Sequence, residues 1–286
     1  MKTGFIGLGH LGKAIAQRLI SEGTDMVVWN RTKGKAADLG VEIADSPAQL
    51  TSKADVIFVN LFDSNAVRSV LTADNGLLKG DCKGKVIVDT TTNHYDEVID
   101  FHEMMKAQGA TYLESPVLGS IVPASQGALT VLVSGEKSAF DRVHPLLQKI
   151  GKNIFHLDKP TLATKMKLIN NLCLGSFMAT IAEALAFGEE AGIARDKVLE
   201  VLGAGAGNSG VLNAKKEKLL KEDFSAHFKA SLMYKDLHYL HDLAWALKRP
   251  LFTGSIAKEL FGMTFSKNME EQDFAVVYKV LKNSNS

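Results

Sequence analysis

Thr3-Gly4-Phe5-Ile6-Gly7-Leu8-Gly9-His10-Leu11-Gly12 lies at the start of the chain, and its reading decides the first half of the fold. A short strand pattern over Gly4 to Gly7 runs into the spacing Gly-x-Gly-x-x-Gly, and an amphipathic helical pattern from Ala14 to Glu22 follows at once. A strand, a glycine turn and a helix in this order are the context in which that spacing binds a dinucleotide. The first glycine permits the tight turn, the second lets backbone approach a pyrophosphate, and the third lets helix pack on strand; the helix start offers N–H donors to phosphate. Gly7, Leu8, Gly9, His10, Leu11 and Gly12 are therefore expected to bind cofactor, with His10 exposed near the pyrophosphate rather than catalytic.

The next strand pattern, Met26 to Trp29, ends in Asn30, Arg31 and Thr32. An NAD-preferring site places Asp or Glu about 20 residues after the glycines to hold the ribose hydroxyls. Here Arg31 can pair with a 2′-phosphate and Thr32 can donate a hydroxyl hydrogen bond, and a carboxylate that would repel the phosphate is missing. The expected cofactor is NADP(H), with NAD(H) as the alternative and Arg31 as a solvated loop charge as the plainer reading.

Outward from this point the first half alternates strands (Val56–Val59, Val86–Val88, Thr111–Leu113, Leu129–Val133, Asn153–His156) with helices (Lys35–Leu39, Ser64–Leu71, Asp96–Gln108, Ala139–Ile150). Regular alternation with apolar strands predicts an α/β fold, a Rossmann-like doubly wound and mostly parallel sheet. After about Leu157 the strand signal stops and helical spacing takes over at Thr164–Ala191, Asp196–Leu202, Leu212–Leu220, Ser231–Leu247, Thr253–Ser266 and Asp273–Leu281. The expectation is residues 1–160 as the dinucleotide-binding domain and 161–286 as an all-α substrate and dimerisation domain, with a fraying tail from Lys282 to Ser286.

With 33 Lys plus Arg against 32 Asp plus Glu in 286 residues, no global field draws the chain to nucleic acid or an anionic membrane. Cys82 and Cys173 lie far apart, which suggests neither a disulfide framework nor a zinc site, and the histidines show no metal-ligand pattern. The first residues leave no room for a signal peptide, so a cytoplasmic protein is expected. Asn170, Asn171 and Glu183 interrupt the apolar run Leu168–Phe187, which reads as a buried helix whose Met and aromatic residues are core. A helix apolar over more than one face in a small helical domain also predicts a homodimer or higher homo-oligomer.

Several separated motifs resemble the β-hydroxyacid dehydrogenase family, which includes 3-hydroxyisobutyrate dehydrogenases and tartronate semialdehyde, glyoxylate and succinic semialdehyde reductases. Phe5 to Gly12 is similar to its N-terminal signature, with Leu11 where Met is usual; Asp89-Thr90-Thr91-Thr92 resembles its Asp-x-Ser-Thr segment; Tyr112 to Ser120 and Gly127 to Thr130 resemble its substrate segment; Lys167-Leu168-Ile169-Asn170-Asn171 resembles its catalytic Lys-x-x-Asn-Asn; and Lys235-Asp236-Leu237 its late Lys-Asp-Leu. The resemblance implies cofactor contacts for Thr92 and Lys235, substrate contacts for Leu118, Gly119, Ser120 and Asn171, and catalysis by Lys167 with Asn171. Two departures stand out: Leu118 replaces the serine that helps hold the substrate carboxylate, and Thr161 and Ala163 replace glycines six and four positions before the lysine.

Lys167 and Asn171 are four apart and share a helix face. Carbonyl reduction needs a proton at oxygen, and an ammonium near the developing alkoxide both supplies it and stabilises the charge. Without the resemblance, Lys165 and Lys167 read as solvated helix charges, and Lys235 with Asp236 as a structural ion pair. The reading is an oxidoreductase moving a hydride between NADP(H) and a small aldehyde acid or 3-hydroxy acid. The alternatives are an NADPH-dependent imine reductase, disfavoured by Lys167, and a non-catalytic dinucleotide-binding module.

Overall fold

The computed structural model describes residues 1–282; the expected fray of the tail falls mostly on 283–286, outside the described residues. The chain divides into two compact units, Met1–Lys167 and Leu168–Ser286.

In the first unit, in chain order, are β1 (Thr3–Ile6), α1 (His10–Ser21), β2 (Met26–Trp29), β3 (Glu42–Ile43), α2 (Pro47–Lys53), β4 (Val56–Val59), α3 (Ser64–Thr72), β5 (Val86–Asp89), α4 (Tyr95–Ala107) and β6 (Thr111–Glu114). These six strands form one sheet, every pair parallel, in the order β3-β2-β1-β4-β5-β6. That is the doubly wound order in which the chain reverses direction at β1 and opens a crevice at the strands' carboxyl ends. Side chains alternate between two cores: Phe5, Val28, Phe58 and Val88 face one side, and Ile6, Val27, Ile57 and Ile87 the other. Burial on both faces explains why these strands read as unbroken apolar runs.

The remaining strands correct the expectation of a single sheet. β7 (Val117–Leu118), β8 (Leu129–Val133) and β9 (Gly151–His156) form a separate three-stranded sheet, β7 antiparallel to β8 and β8 parallel to β9. Pro116, which has no N–H to give a ladder, stands between β6 and β7 where the chain leaves the first sheet. α5 (Ile121–Ser125) and α6 (Lys137–Ile150) connect these strands. Among the elements not expected, α2 had a legible signal: Ser46 accepts from Gln49 N at 3.1 Å, and Pro47 occupies the first turn.

The second unit is all-α: most of α7 (Leu162–Glu190), then α8 (Arg195–Ala204), α9 (Gly210–Lys221), α10 (Ala230–Ala246), α11 (Phe252–Ser266) and α12 (Val277–Lys282). Its core includes Met233, Leu237, Phe261, Phe274 and Tyr278, each at most 2 % exposed. The first turns of α7 lie with the first unit, where Ala163 N donates to Ser134 Oγ at 2.9 Å and Lys167 Nζ to the Val117 carbonyl at 2.8 Å.

Helix α7 overturns part of the core reading. Leu168, Met178, Ala182 and Leu185 are fully shielded, but Met166, Ile169, Cys173, Phe177 and Phe187 are exposed. By length and composition this helix is apolar enough to cross a membrane, contrary to the expectation that its polar residues leave it short; a packed core helix passes the same test.

Two glycines of the opening turn hold β1 and α1 together. A Cβ on Gly12 would lie 2.1 Å from the Gly7 carbonyl oxygen, and one on Gly7, whose φ is +98°, would lie 2.1 Å from the Asn60 carbonyl oxygen. A Cβ on Gly9 would meet nothing within 4 Å. Gly12→Ala is therefore expected to destabilise the first unit by about 3 kcal/mol, roughly 10 °C in its unfolding midpoint. Gly9→Ala should stay within about 0.5 kcal/mol of the parent. Equal melting of the two variants would contradict the close-approach role of Gly12.

Candidate active site

The glycine turn is shaped from outside by Asn30. Its Oδ1 accepts from Leu8 N at 2.8 Å, and its Nδ2 donates to the Thr32 carbonyl at 2.9 Å, so both valences are spent on backbone. Asn30 thus braces the turn against the end of β2 and leaves Arg31 and Thr32 exposed. Arg31 makes no ion pair or hydrogen bond among the described residues, whereas nearby Lys13 is tied to Asp38 at 2.7 Å and Lys33 to Asp45 at 2.8 Å. Leu8 is buried and Leu11 half-buried, which makes them packing residues that offer only backbone to a ligand. A recess lined by Leu8, Gly9, His10, Lys13, Lys35 and Ile121 opens beside the turn, with His10 exposed.

The turn suits a dinucleotide. Gly9 leaves its space open where a pyrophosphate needs close backbone approach, and no side chain caps the first amides of α1. Lys13 and Lys35 line the recess beside it, with Lys13 ion-paired to Asp38.

The loop after β5 follows and rests on Asp89, a residue that the sequence singled out only as part of the Asp-x-Ser-Thr-like segment. Asp89 is fully buried and accepts from Thr91 N at 2.9 Å, Asn93 Nδ2 at 2.8 Å and the Tyr112 hydroxyl at 2.5 Å. Burial raises its pKa, and those hydrogen bonds to the charged form oppose the rise. Thr90 Oγ1 donates to the Val59 carbonyl at 2.8 Å and accepts from Asn60 Nδ2 at 2.9 Å, while Thr91 Oγ1 accepts from Leu61 N at 3.0 Å. Half-buried Thr92 follows on a loop fixed from both flanking strand ends, next to Asn60, which itself touches the glycine turn. The signal for Asp89 was a carboxylate ending an apolar strand.

The segment after Pro116 carries Leu118, half-buried and paired with Thr130; Gly119, at φ +123° with no room for a Cβ beside Leu129; and Ser120, which precedes α5 without capping it. Lys167 comes to this segment. Only 6 % exposed, it donates through Nζ to the Val117 carbonyl at 2.8 Å, so the solvated-charge reading is wrong for it. Lys165 is half-buried elsewhere, its Nζ 5.5 Å from the centre of the Tyr95 ring.

Asn171 belongs to the second unit and is fully buried. Its Nδ2 donates to Asp236 Oδ2 at 2.6 Å, and its Oδ1 accepts from Asn170 Nδ2 at 3.1 Å. Lys235 Nζ stands 3.1 Å from Asp236 Oδ1, close enough for charge attraction but not aligned as a hydrogen bond, and 5.1 Å from the Tyr239 ring centre. Asp236, 1 % exposed, therefore orients Asn171 and Lys235 together. Among the described residues no His, Cys, Asp and Glu cluster is arranged to hold a metal ion.

Residues 2–158 match the family model described as "NAD binding domain of 6-phosphogluconate dehydrogenase", and residues 162–281 the one described as "NAD-binding of NADP-dependent 3-hydroxyisobutyrate dehydrogenase". The chain is 32 % identical over 289 aligned residues to glyoxylate/succinic semialdehyde reductase 2, chloroplastic, of Arabidopsis thaliana, covering all of this chain and 81 % of that protein. Among solved structures, 3-hydroxyisobutyrate dehydrogenase from Salmonella typhimurium superposes with a TM-score of 0.90 at 25 % identity, over 98 % of this chain and 99 % of that one. Psf3, solved in complex with NADP+ and 2-OPP, gives 0.89 at 28 % identity over the same shares. With both halves matched and the strand order, glycine turn and lysine segment in place, the chain belongs to the β-hydroxyacid dehydrogenase family of NAD(P)-dependent dehydrogenases and reductases.

Proposed function

We propose that this chain interconverts a small aldehyde acid and the matching hydroxy acid with NADP(H), Lys167 being the proton donor in reduction and the acceptor in oxidation. The observation that carries the reading is the burial of Lys167 against the Val117 carbonyl, beside Leu118, Gly119 and Ser120. The relative named as a glyoxylate/succinic semialdehyde reductase supports the substrate class, and exposed Arg31 with Thr32 supports NADP(H).

A nicotinamide dinucleotide, when bound, supplies the hydride. Gly7 to Gly12 would hold its pyrophosphate, Arg31 and Thr32 its 2′-phosphate, and Thr92 and Lys235 further polar groups. The Lys167 ammonium gives its proton to the substrate oxygen as negative charge develops there, and water reprotonates the amine afterwards. This help is concentrated in the transition state, so it raises turnover more than affinity. The Gly119 amide and the Ser120 hydroxyl are the polar groups left for a substrate carboxylate where Leu118 offers none. Asn171, fixed by Asp236, contributes an amide for positioning.

Met166, Ile169, Cys173 and Phe177 lie along one exposed stripe of α7, and we propose that a second copy of the chain covers it in a homodimer or higher homo-oligomer. Sedimentation should give at least a dimer mass; a monomer at every concentration would refute this.

Lys167→Ala is expected to cut turnover by about 100- to 10,000-fold with NADPH affinity nearly intact, assayed on a panel of aldehyde acids, ketones and imines, while Lys165→Ala stays near the parent. The opposite ranking of the two lysines would refute the assignment, and steady turnover of imines alone would shift the substrate class. Arg31→Ala should weaken NADPH about 10- to 100-fold and NADH little, since only NADPH carries the phosphate. Equal loss for both cofactors in fluorescence titration would count against NADP(H) preference.

A further inference from the structure

Glu114 ends strand β6 with 1 % of its surface exposed, a depth at which a carboxylate is costly unless its oxygens are fully used. All the hydrogen bonds to its carboxylate come from the segment that opens α7. Thr161 N donates to Oε1, and both Thr164 Oγ1 and Thr164 N, the latter at 3.0 Å, donate to Oε2. Beside them Ala163 N donates to Oγ of Ser134, a residue that itself bridges to Glu114. The first turn of a helix has amides that no helical carbonyl can take. Here the amides of Thr161, Ala163 and Thr164 are all taken by side chains from the sheets, one of them an anion that suits the positive end of the helix.

Thr161 shows how firmly this start is held. It is β-branched yet has φ +75°, a conformation that favours glycine and that non-glycine residues keep only where their surroundings over-determine it. Lys167 follows within two turns, and the strand segment that holds the helix start also receives its tip: Glu114 takes Thr164 and Val117 takes Lys167, each pair 50 residues apart.

We propose that Glu114 is the positioning residue for Lys167, setting the seat of the first turn of α7 and thereby the approach of the lysine to the Val117–Ser120 segment. The proposal rests on the reading of Lys167 as proton donor. Burial pushes the Glu114 carboxyl up to about 7, and the Thr164 and Thr161 hydrogen bonds oppose the rise without cancelling it. The ionisable groups around it are Lys165 on α7, which favours the charged form, and Asp89 and Tyr112 on neighbouring strand positions; His102 of α4, itself pushed down to about 4 by burial, packs on the Tyr112 ring. Strand β8 carries none. Protonation removes the negative charge that strengthens the three hydrogen bonds from Thr161 and Thr164, so the seat loosens as pH falls through about 7 and turnover falls with it. Stability runs the other way. A carboxyl with a raised folded-state pKa contributes fully below its unfolded value near 4.5 and loses that contribution as pH rises through about 7. Opposite pH trends in turnover and stability separate a positioning role from a merely structural one.

The test compares the full-length parent with E114Q, T164V and K167A from pH 5 to 9, measuring kcat and KM on a short aldehyde acid with NADPH, NADPH affinity by fluorescence, thermal unfolding, and amide exchange over residues 161–168. E114Q should lower kcat about 100-fold, the cost of a misplacement near 1 Å, with NADPH affinity within about twofold and the acid limb near pH 7 lost. T164V, which removes one donor and serves if E114Q folds poorly, should lower kcat several-fold. If K167A loses turnover while E114Q and T164V keep both kcat and the acid limb, Glu114 does not position the lysine. If K167A itself keeps turnover, the proton-donor reading fails instead, and the seat is judged by exchange: E114Q should speed it at least tenfold over 161–168, and unchanged exchange would overturn the proposal.

Discussion

The hydrogen bonds that hold residues 161–167 against the strands of the first unit decide where the Lys167 ammonium lies. A lysine on an amphipathic helix ordinarily reaches for water, and Lys167 cannot, because Glu114 and Ser134 seat the first turn and the Val117 carbonyl takes the ammonium. Desolvating an ammonium is costly, and the cost is met by contacts that also aim it. The same segment, Glu114 through Ser120, runs from the edge of the parallel sheet into the second sheet, so the proposed substrate segment and the lysine are located by one stretch of chain.

A second constraint governs the cofactor crevice. Gly7 and Gly12 let β1, α1 and the β4 loop approach so closely that Asn60 touches the turn, and Asn60 in turn holds Thr90. Asn30 and Asp89 then fix the two flanking loops, one by bracing Leu8 and Thr32, the other by gathering Thr91, Asn93 and Tyr112. Arg31 and Thr92 are carried on loops whose shapes are set by their neighbours.

What was legible in the amino-acid string follows from the range of the forces involved. The runs Met26–Trp29 and Val56–Val59 were read with their exact bounds because burial on both sides leaves an unbroken apolar signal, and Leu129–Val133 likewise although half-buried Thr130 interrupts it. The pairing of β7, β8 and β9 into their own sheet was not, since pairing partners are chosen by tertiary packing and only Pro116 hinted at a break. The glycine turn was legible from its spacing between strand and helix, whereas Lys167 stood out from Lys165 only through the resemblance of its segment to Lys-x-x-Asn-Asn. Asp89, Glu114 and Asp236 were named only inside motifs, Asp236 also as an ion-pair partner of Lys235, and their bracing roles were not read because they rest on partners such as Tyr112, Thr164 and Asn171, 23 to 65 residues away. The exposed stripe on α7 was misread as core for a related reason: apolar spacing shows that a face must be covered, not which surface covers it.

Lys167 is proposed to deliver the proton to the substrate oxygen. A crystal structure of the chain with NADP+ and a bound short hydroxy acid tests it most directly. The account requires Lys167 Nζ to lie about 2.6–3.2 Å from the substrate hydroxyl oxygen, with the carboxylate toward Gly119 and Ser120. A hydroxyl held by other groups, with Lys167 bonded to the Val117 carbonyl and out of reach, would contradict it.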